Sequence, residues 1–95
     1  MDPIQPRIDA VERQLAELEA RLAELERLSE TRNGQAGEAA RRELPVLRQR
    51  LRAKKAEFER LRAEEAQSWE KEDLLAGIEA VFDEIGARIM KLLGR

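Results

Sequence analysis

The sequence predicts an all-α protein, an antiparallel coiled-coil helical hairpin followed by a C-terminal amphipathic helix. Two apolar stripes keep a heptad repeat, and a turn signal containing two glycines separates them. The composition agrees: of the 95 residues, 40% are charged and only 3% are aromatic. Such values are typical of long helices and coiled coils. Disorder is disfavoured because leucine and isoleucine recur at regular spacing.

The first helix is expected over about residues 4–32. Pro6 falls in its first turn, where the missing N–H is tolerated. Asn33 and Gly34 can adopt the positive φ of a helix end. The heptad stripe of this helix comprises Ile4, Ile8, Val11, Leu15, Leu18, Leu22 and Leu25.

A turn at about residues 33–37 precedes a second helix, expected over about 38–71. Pro45 lies near the start of the second stripe and indicates either a first-turn proline or a kink. The second stripe comprises Leu44, Leu47, Leu51, Phe58 and Leu61.

Charges beside the two stripes predict the relative direction of the helices. The residues along one side of each apolar stripe form a flanking column. If the helices are antiparallel, every acidic residue of one such column in the first helix faces a basic residue in the second. Its predicted pairs are Glu12 with Arg62, Glu19 with Lys55 and Glu26 with Arg48. The other column is less regular: it faces Arg7 with Glu64, Gln14 with Glu57 and Arg21 with Arg50, and the last of these pairs is repulsive.

A third apolar stripe occupies residues 72–95, and its phase is shifted by three residues from that of the second helix. The shift allows either a separate helix or one bent helix running from Pro45 to the C-terminus. We therefore divide the chain into a hairpin, residues 1–71, and a C-terminal assembly helix, residues 72–95.

The apolar face of the C-terminal helix must fold against the hairpin, meet another chain or lie on a membrane. Glu79, Asp83 and Glu84 disfavour a membrane surface, which usually selects basic residues. A two-helix hairpin offers no obvious second groove of this length. We therefore expect an interface with a second copy or with a helical protein partner. The expected interface residues are Trp69, Leu74, Leu75, Ile78, Val81, Phe82, Ile85, Ile89, Leu92 and Leu93.

A basic segment raises the alternative of nucleic-acid binding. Residues 41–63 carry nine basic and three acidic residues, and spaced cations neutralise phosphates. No aromatic residues interleave with them for base stacking, and the sequence pI is about 5.3. Nucleic acid is thus less favoured than a basic docking edge for an acidic partner. The candidate edge comprises Arg41, Arg42, Arg50, Arg52 and Arg60.

No residue pattern indicates catalysis. The chain contains neither cysteine nor histidine, which removes thiolate chemistry and the most common metal ligand. Adjacent carboxylates such as Asp83 and Glu84 are typical of a solvated helix face. We expect no catalytic, metal-binding or cofactor-binding residue and no cofactor. The N-terminus lacks a signal-peptide pattern and no stretch is apolar enough to span a membrane, so the expected location is the cytoplasm.

These observations predict a non-enzymatic structural or interaction protein that uses its C-terminal helix for oligomerisation or partner binding. The hairpin plan resembles that of small secretion chaperones, phage accessory proteins and adaptor subunits. This resemblance lies in the architecture and in no residue motif. It implies an alternative role as a chaperone or accessory subunit for one specific protein.

Overall fold

The computed structural model describes residues 4–63 and 68–94, with backbone only for Ser68 and Trp69. It contains three α-helices: α1 spans Gln5–Thr31, α2 spans Gly34–Ala63 and α3 spans Ser68–Leu93. No strand occurs among these residues, so the predicted all-α class is confirmed. Compared with expectation, α2 begins earlier and ends earlier, and α3 also begins earlier.

The connection between α1 and α2 is shorter than predicted and depends on two glycines. Arg32 is extended and its N–H donates to the Leu28 carbonyl, which ends α1. Gly34 has a φ of +81°, a conformation that L side chains rarely adopt. A Cβ atom on Gly37 would lie 2.0 Å from the Arg32 carbonyl oxygen. Gly37 thus allows the first turn of α2 to lie directly against the end of α1.

Three ion pairs join α1 to α2, and they are the three predicted from the sequence. The nitrogen-to-oxygen distances are 3.6 Å for Arg62–Glu12, 3.5 Å for Lys55–Glu19 and 3.1 Å for Arg48–Glu26. Residue numbers rise along one helix as they fall along the other, so α1 and α2 are antiparallel. Each exposed pair contributes well under about 1 kcal/mol to stability. Together the pairs favour one helix direction over the other.

Polar contacts also connect α3 to both of the other helices. Toward α1, Arg7 donates to Glu79 at 2.9 Å and Gln14 donates to Asp83 at 2.6 Å. Toward α2, Arg50 donates to Glu84 at 3.1 Å. α3 is therefore parallel to α1 and antiparallel to α2, which excludes a single bent helix from Pro45 to the C-terminus. Pro45 lies inside α2, and the helix continues through it.

The prediction that nothing within the chain covers the apolar face of α3 is wrong. Five residues of that face pack with the stripes of α1 and α2 in one continuous core. This core includes residues from both predicted units, residues 1–71 and 72–95. Each of the five is at most 2% exposed: Leu75, Ile78, Phe82, Ile85 and Ile89.

The physical reason is that a heptad stripe does not specify how many helices share it. The stripes of α1 and α2 face a common axis, and α3 occupies the third position around that axis. Gly86 assists this arrangement, because a Cβ atom there would lie only 3.2 Å from Leu18 Cδ2 of α1. The result is a slender three-helix bundle with principal extents of 51 × 20 × 15 Å.

Candidate interaction surface

The ten predicted interface residues have different positions in the structure. Five lie in the core described above and are not available to a partner. Val81, Leu92 and Leu93 are partly buried against that core. Leu74 is 53% exposed, and the side chain of Trp69 lies outside the described part of the chain. Among the described members of the set, Leu74 is the one large side chain that projects into solvent.

The five arginines of the predicted basic edge are all exposed on α2, and their immediate surroundings differ. Arg41 donates to the carbonyl oxygens of Ser29 and Arg32, and so satisfies polar groups at the end of α1. Arg52 lines the groove between α1 and α2. Arg42 and Arg50 together line the groove between α2 and α3, and Arg60 is exposed.

Val46 is a candidate functional residue that the heptad analysis did not include. It is 58% exposed and borders a groove of about 450 Å³ between α2 and α3. The sequence does contain an indication of this, because Val46 is a large apolar residue that lies outside the heptad stripe of α2. The groove is lined by Arg42, Glu43, Val46, Leu47, Arg50, Glu84 and Arg88.

Leu74 belongs to the same side of the bundle as Val46. Residues seven apart share a helix face to within about 20°, so Leu74, Val81 and Arg88 form one row along α3. Arg88 contacts Glu43 of α2, and the row therefore follows the boundary between α2 and α3. We use the name α2–α3 face for the surface that runs from the Val46 groove to Leu74.

The Val46 end of this face is held by a forked ion pair. The Arg88 guanidinium donates through two nitrogens to the Glu43 carboxylate. These hydrogen bonds hold the pKa of Glu43 below its ordinary value, although partial burial opposes the shift. The charges of Arg88, Arg42 and Lys91 act in the same direction as the hydrogen bonds. Glu43 is thus kept ionised, and the pair fixes α3 against α2.

Three other grooves among the described residues are smaller than the Val46 groove. Ion pairs cross the one between α1 and α2. That groove has a volume of about 280 Å³, and its rim includes the Lys55–Glu19 and Arg48–Glu26 pairs. Two grooves between α1 and α3 measure about 260 and 240 Å³. Val46 and Leu74 are the exposed large hydrophobic residues of the described part of the chain, and neither lines any of these three grooves.

Neither a metal-binding cluster nor a membrane-spanning helix occurs in residues 4–63 and 68–94. No group of three or more acidic side chains there could hold a metal ion. No helix of that part combines the length and the apolar character needed to cross a membrane.

Comparison with known proteins assigns no family. No protein-family model matches the sequence, and no significant match occurs among curated proteins or solved structures.

Proposed function

We propose that this protein is a non-enzymatic interaction module that binds a protein partner through its α2–α3 face. In this proposal the coiled-coil hairpin of α1 and α2 is a rigid frame, and α3 completes the binding surface. The observation that carries the proposal is the exposure of Val46 and Leu74 on one side of the bundle. Single exposed apolar residues are common on protein surfaces. Here two occur along one interhelical boundary, with ion-paired arginines around one of them.

The face has the chemistry expected of a protein-binding surface. It combines exposed aliphatic side chains with arginine, a residue type enriched at protein interfaces. Arg50 and Arg88 are already ion-paired, so part of the side-chain entropy cost of binding is met before a partner arrives. The partner expected from this chemistry is a helical protein surface that carries both apolar and charged groups.

Site-specific photo-crosslinking in cells of the source organism tests the proposal. A benzophenone amino acid is placed at position 46, at position 74 or, as a matched control, at the exposed position 20 on α1. We expect protein adducts from positions 46 and 74 and none from position 20. Equal labelling from all three positions, or adducts from none, would contradict the assignment of this face.

The mass of the adduct separates two versions of the function. An adduct of two copies of the 10.9 kDa chain indicates self-association. An adduct with one different protein indicates the chaperone or accessory-subunit role.

Nucleic-acid binding is the alternative from a different class. Arg42, Arg52 and Arg60 have no ion pair within the described residues, which leaves their charge available. Arg42 lines the groove between α2 and α3, whereas Arg52 lines the groove between α1 and α2. This separation weakens the alternative, because phosphate neutralisation needs cations along one track. A titration with a 20-base-pair DNA duplex tests it. Binding would have to fall steeply as salt rises from about 50 to 200 mM.

A further inference from the structure

The turn between α1 and α2 contains the only asparagine of the chain, Asn33, and the residue that follows it is Gly34. Asparagine is thermolabile, because its side-chain amide can be attacked by the backbone nitrogen of the next residue. The reaction is intramolecular and closes a small ring, so proximity favours it. A following glycine hinders the attack least, since it has no Cβ atom.

The structure leaves both reacting groups accessible. Asn33 and Gly34 are exposed, and beyond its own stretch of backbone no atom lies within 4 Å of a Cβ atom built on Gly34. In the described part of the chain, the Asn33 side chain makes no hydrogen bond and the Gly34 N–H donates to no backbone carbonyl. Gly34 is the first residue of α2, so its N–H has no intrahelical partner. Neither group has to break a hydrogen bond before it reacts.

The charges around the turn favour the attack. Negative charge develops on the Gly34 nitrogen as it loses its proton, and then on the side-chain oxygen of Asn33. Both residues lie at the N-terminal end of α2, where the helix dipole stabilises negative charge. The Arg41 guanidinium donates to the carbonyl oxygens of Ser29 and Arg32, and so places a positive charge beside the same turn.

From these observations we infer that Asn33 is a site of spontaneous deamidation in the folded protein. The Gly34 nitrogen loses its proton to solvent and forms a bond to Cγ of Asn33, while the side-chain NH₂ group takes up a proton and leaves as ammonia. One water molecule then hydrolyses the resulting cyclic imide. Opening of the bond to Cγ gives aspartate at position 33. Opening of the original peptide bond gives isoaspartate, in which the main chain continues through the former side chain, and nothing is oxidised or reduced in either case.

The two products have different effects on the turn. Aspartate leaves the main chain unchanged and adds a negative charge at the start of α2, where aspartate and asparagine are equally good caps. Isoaspartate lengthens the main chain by one methylene group, about 1.5 Å. Only two residues connect Thr31 to Gly34, and a Cβ atom on Gly37 would already lie 2.0 Å from the Arg32 carbonyl oxygen. The isoaspartyl form therefore displaces the first turn of α2 from the end of α1. This modification is independent of the proposed binding surface.

Timed incubation of the full chain in warm, mildly alkaline buffer tests the inference, with the same chain in denaturant as the unfolded reference. Mass spectrometry of the tryptic peptide 33–41 measures the replacement of NH₂ by OH and assigns it to Asn33 rather than to Gln35. We expect the folded chain to react within about tenfold of the unfolded rate, because an exposed turn does not have to unfold first. A slower folded rate would overturn the inference; reaction through global unfolding alone would lower the rate by about a thousandfold or more.

Thermal melts followed by circular dichroism test the effect of isoaspartate, whose amount is measured by enzymatic methylation of its carboxyl group. Aged wild-type protein that contains isoaspartate should show an additional transition below the Tm of fresh protein. Freshly prepared Asn33→Asp should melt at or above the wild-type Tm. Asn33→Ser keeps a capping side chain but cannot form the imide, so ageing should leave its melt unchanged. If aged wild-type protein with measured isoaspartate melts like fresh protein, the predicted displacement of α2 is wrong.

Discussion

Replacing Ile85 by alanine tests whether α3 belongs to the cooperative core of this protein. Ile85 is 0% exposed and lies among residues of all three helices in the core. Truncation of a buried isoleucine to alanine costs about 2–5 kcal/mol, which is the lost transfer free energy plus the free energy of the cavity left behind. A domain of this length has a total free energy of unfolding of roughly 5–14 kcal/mol. The substitution should therefore remove a large fraction of the stability.

The expected change is large enough to measure without ambiguity. A loss of about 3 kcal/mol lowers the Tm of a domain of this size by roughly 12–24 °C. Urea denaturation followed by circular dichroism should show one transition at a lower midpoint. Leu74→Ala is the matched control: it also truncates an aliphatic residue of α3, but at an exposed site, and should change stability by about 0.5 kcal/mol or less.

Two results would refute the reasoning. The first is an unchanged midpoint for Ile85→Ala. The second is a biphasic transition, in which α3 is lost while α1 and α2 remain folded. The second result would restore the view of α3 as an appended assembly helix.

Two further predictions concern the glycines of α3 and the ion pair between α3 and α2. Gly77→Ala should raise the free energy of unfolding by about 0.5–1 kcal/mol, because alanine favours helix and no atom lies within 4 Å of the added Cβ. Gly86→Ala should gain less, because its Cβ would press on Leu18; an equal gain in thermal melts would contradict this packing. Arg88 lowers the pKa of Glu43 in the folded state. The ion pair therefore contributes its full stabilisation above the pKa of the unfolded state, about 4.3. This stabilisation is lost as the pH falls through the pKa of the folded state. The stability difference between wild type and Glu43→Gln should therefore shrink between pH 7 and pH 3 in urea titrations, and a constant difference would contradict the role of the charged pair.

One feature of the sequence, the irregular flanking column, is explained by the third helix. The flanking column that includes Arg7 and Gln14 had no consistent partners on the second helix. In the structure their partners are Glu79 and Asp83 of α3. The repulsion predicted between Arg21 and Arg50 is also resolved. Arg21 pairs within α1, with Glu17 and Glu24, and Arg50 pairs with Glu84 of α3.

The candidate surface was less predictable than the core. From the sequence, Leu74 belongs to a predicted helix interface, whereas Arg42 and Arg50 belong to a separate basic edge. The heptad pattern does not identify Val46, because its exposure depends on which helix faces are covered. Only the packing of α3 beside α2 brings these residues onto one side of the bundle.

The sequence by itself determined what depends on local spacing: three apolar helical stripes and the sign of the charges beside each stripe. It also determined that α1 and α2 are antiparallel, because three ion pairs of one column match in that direction alone. Only the tertiary structure decided that α3 completes the core. A periodic apolar stripe specifies which side of a helix is buried. The number of helices that share one hydrophobic core depends on how the side chains of all of them pack together. The burial of Ile85 and the exposure of Leu74, on the same helix, are both consequences of that packing.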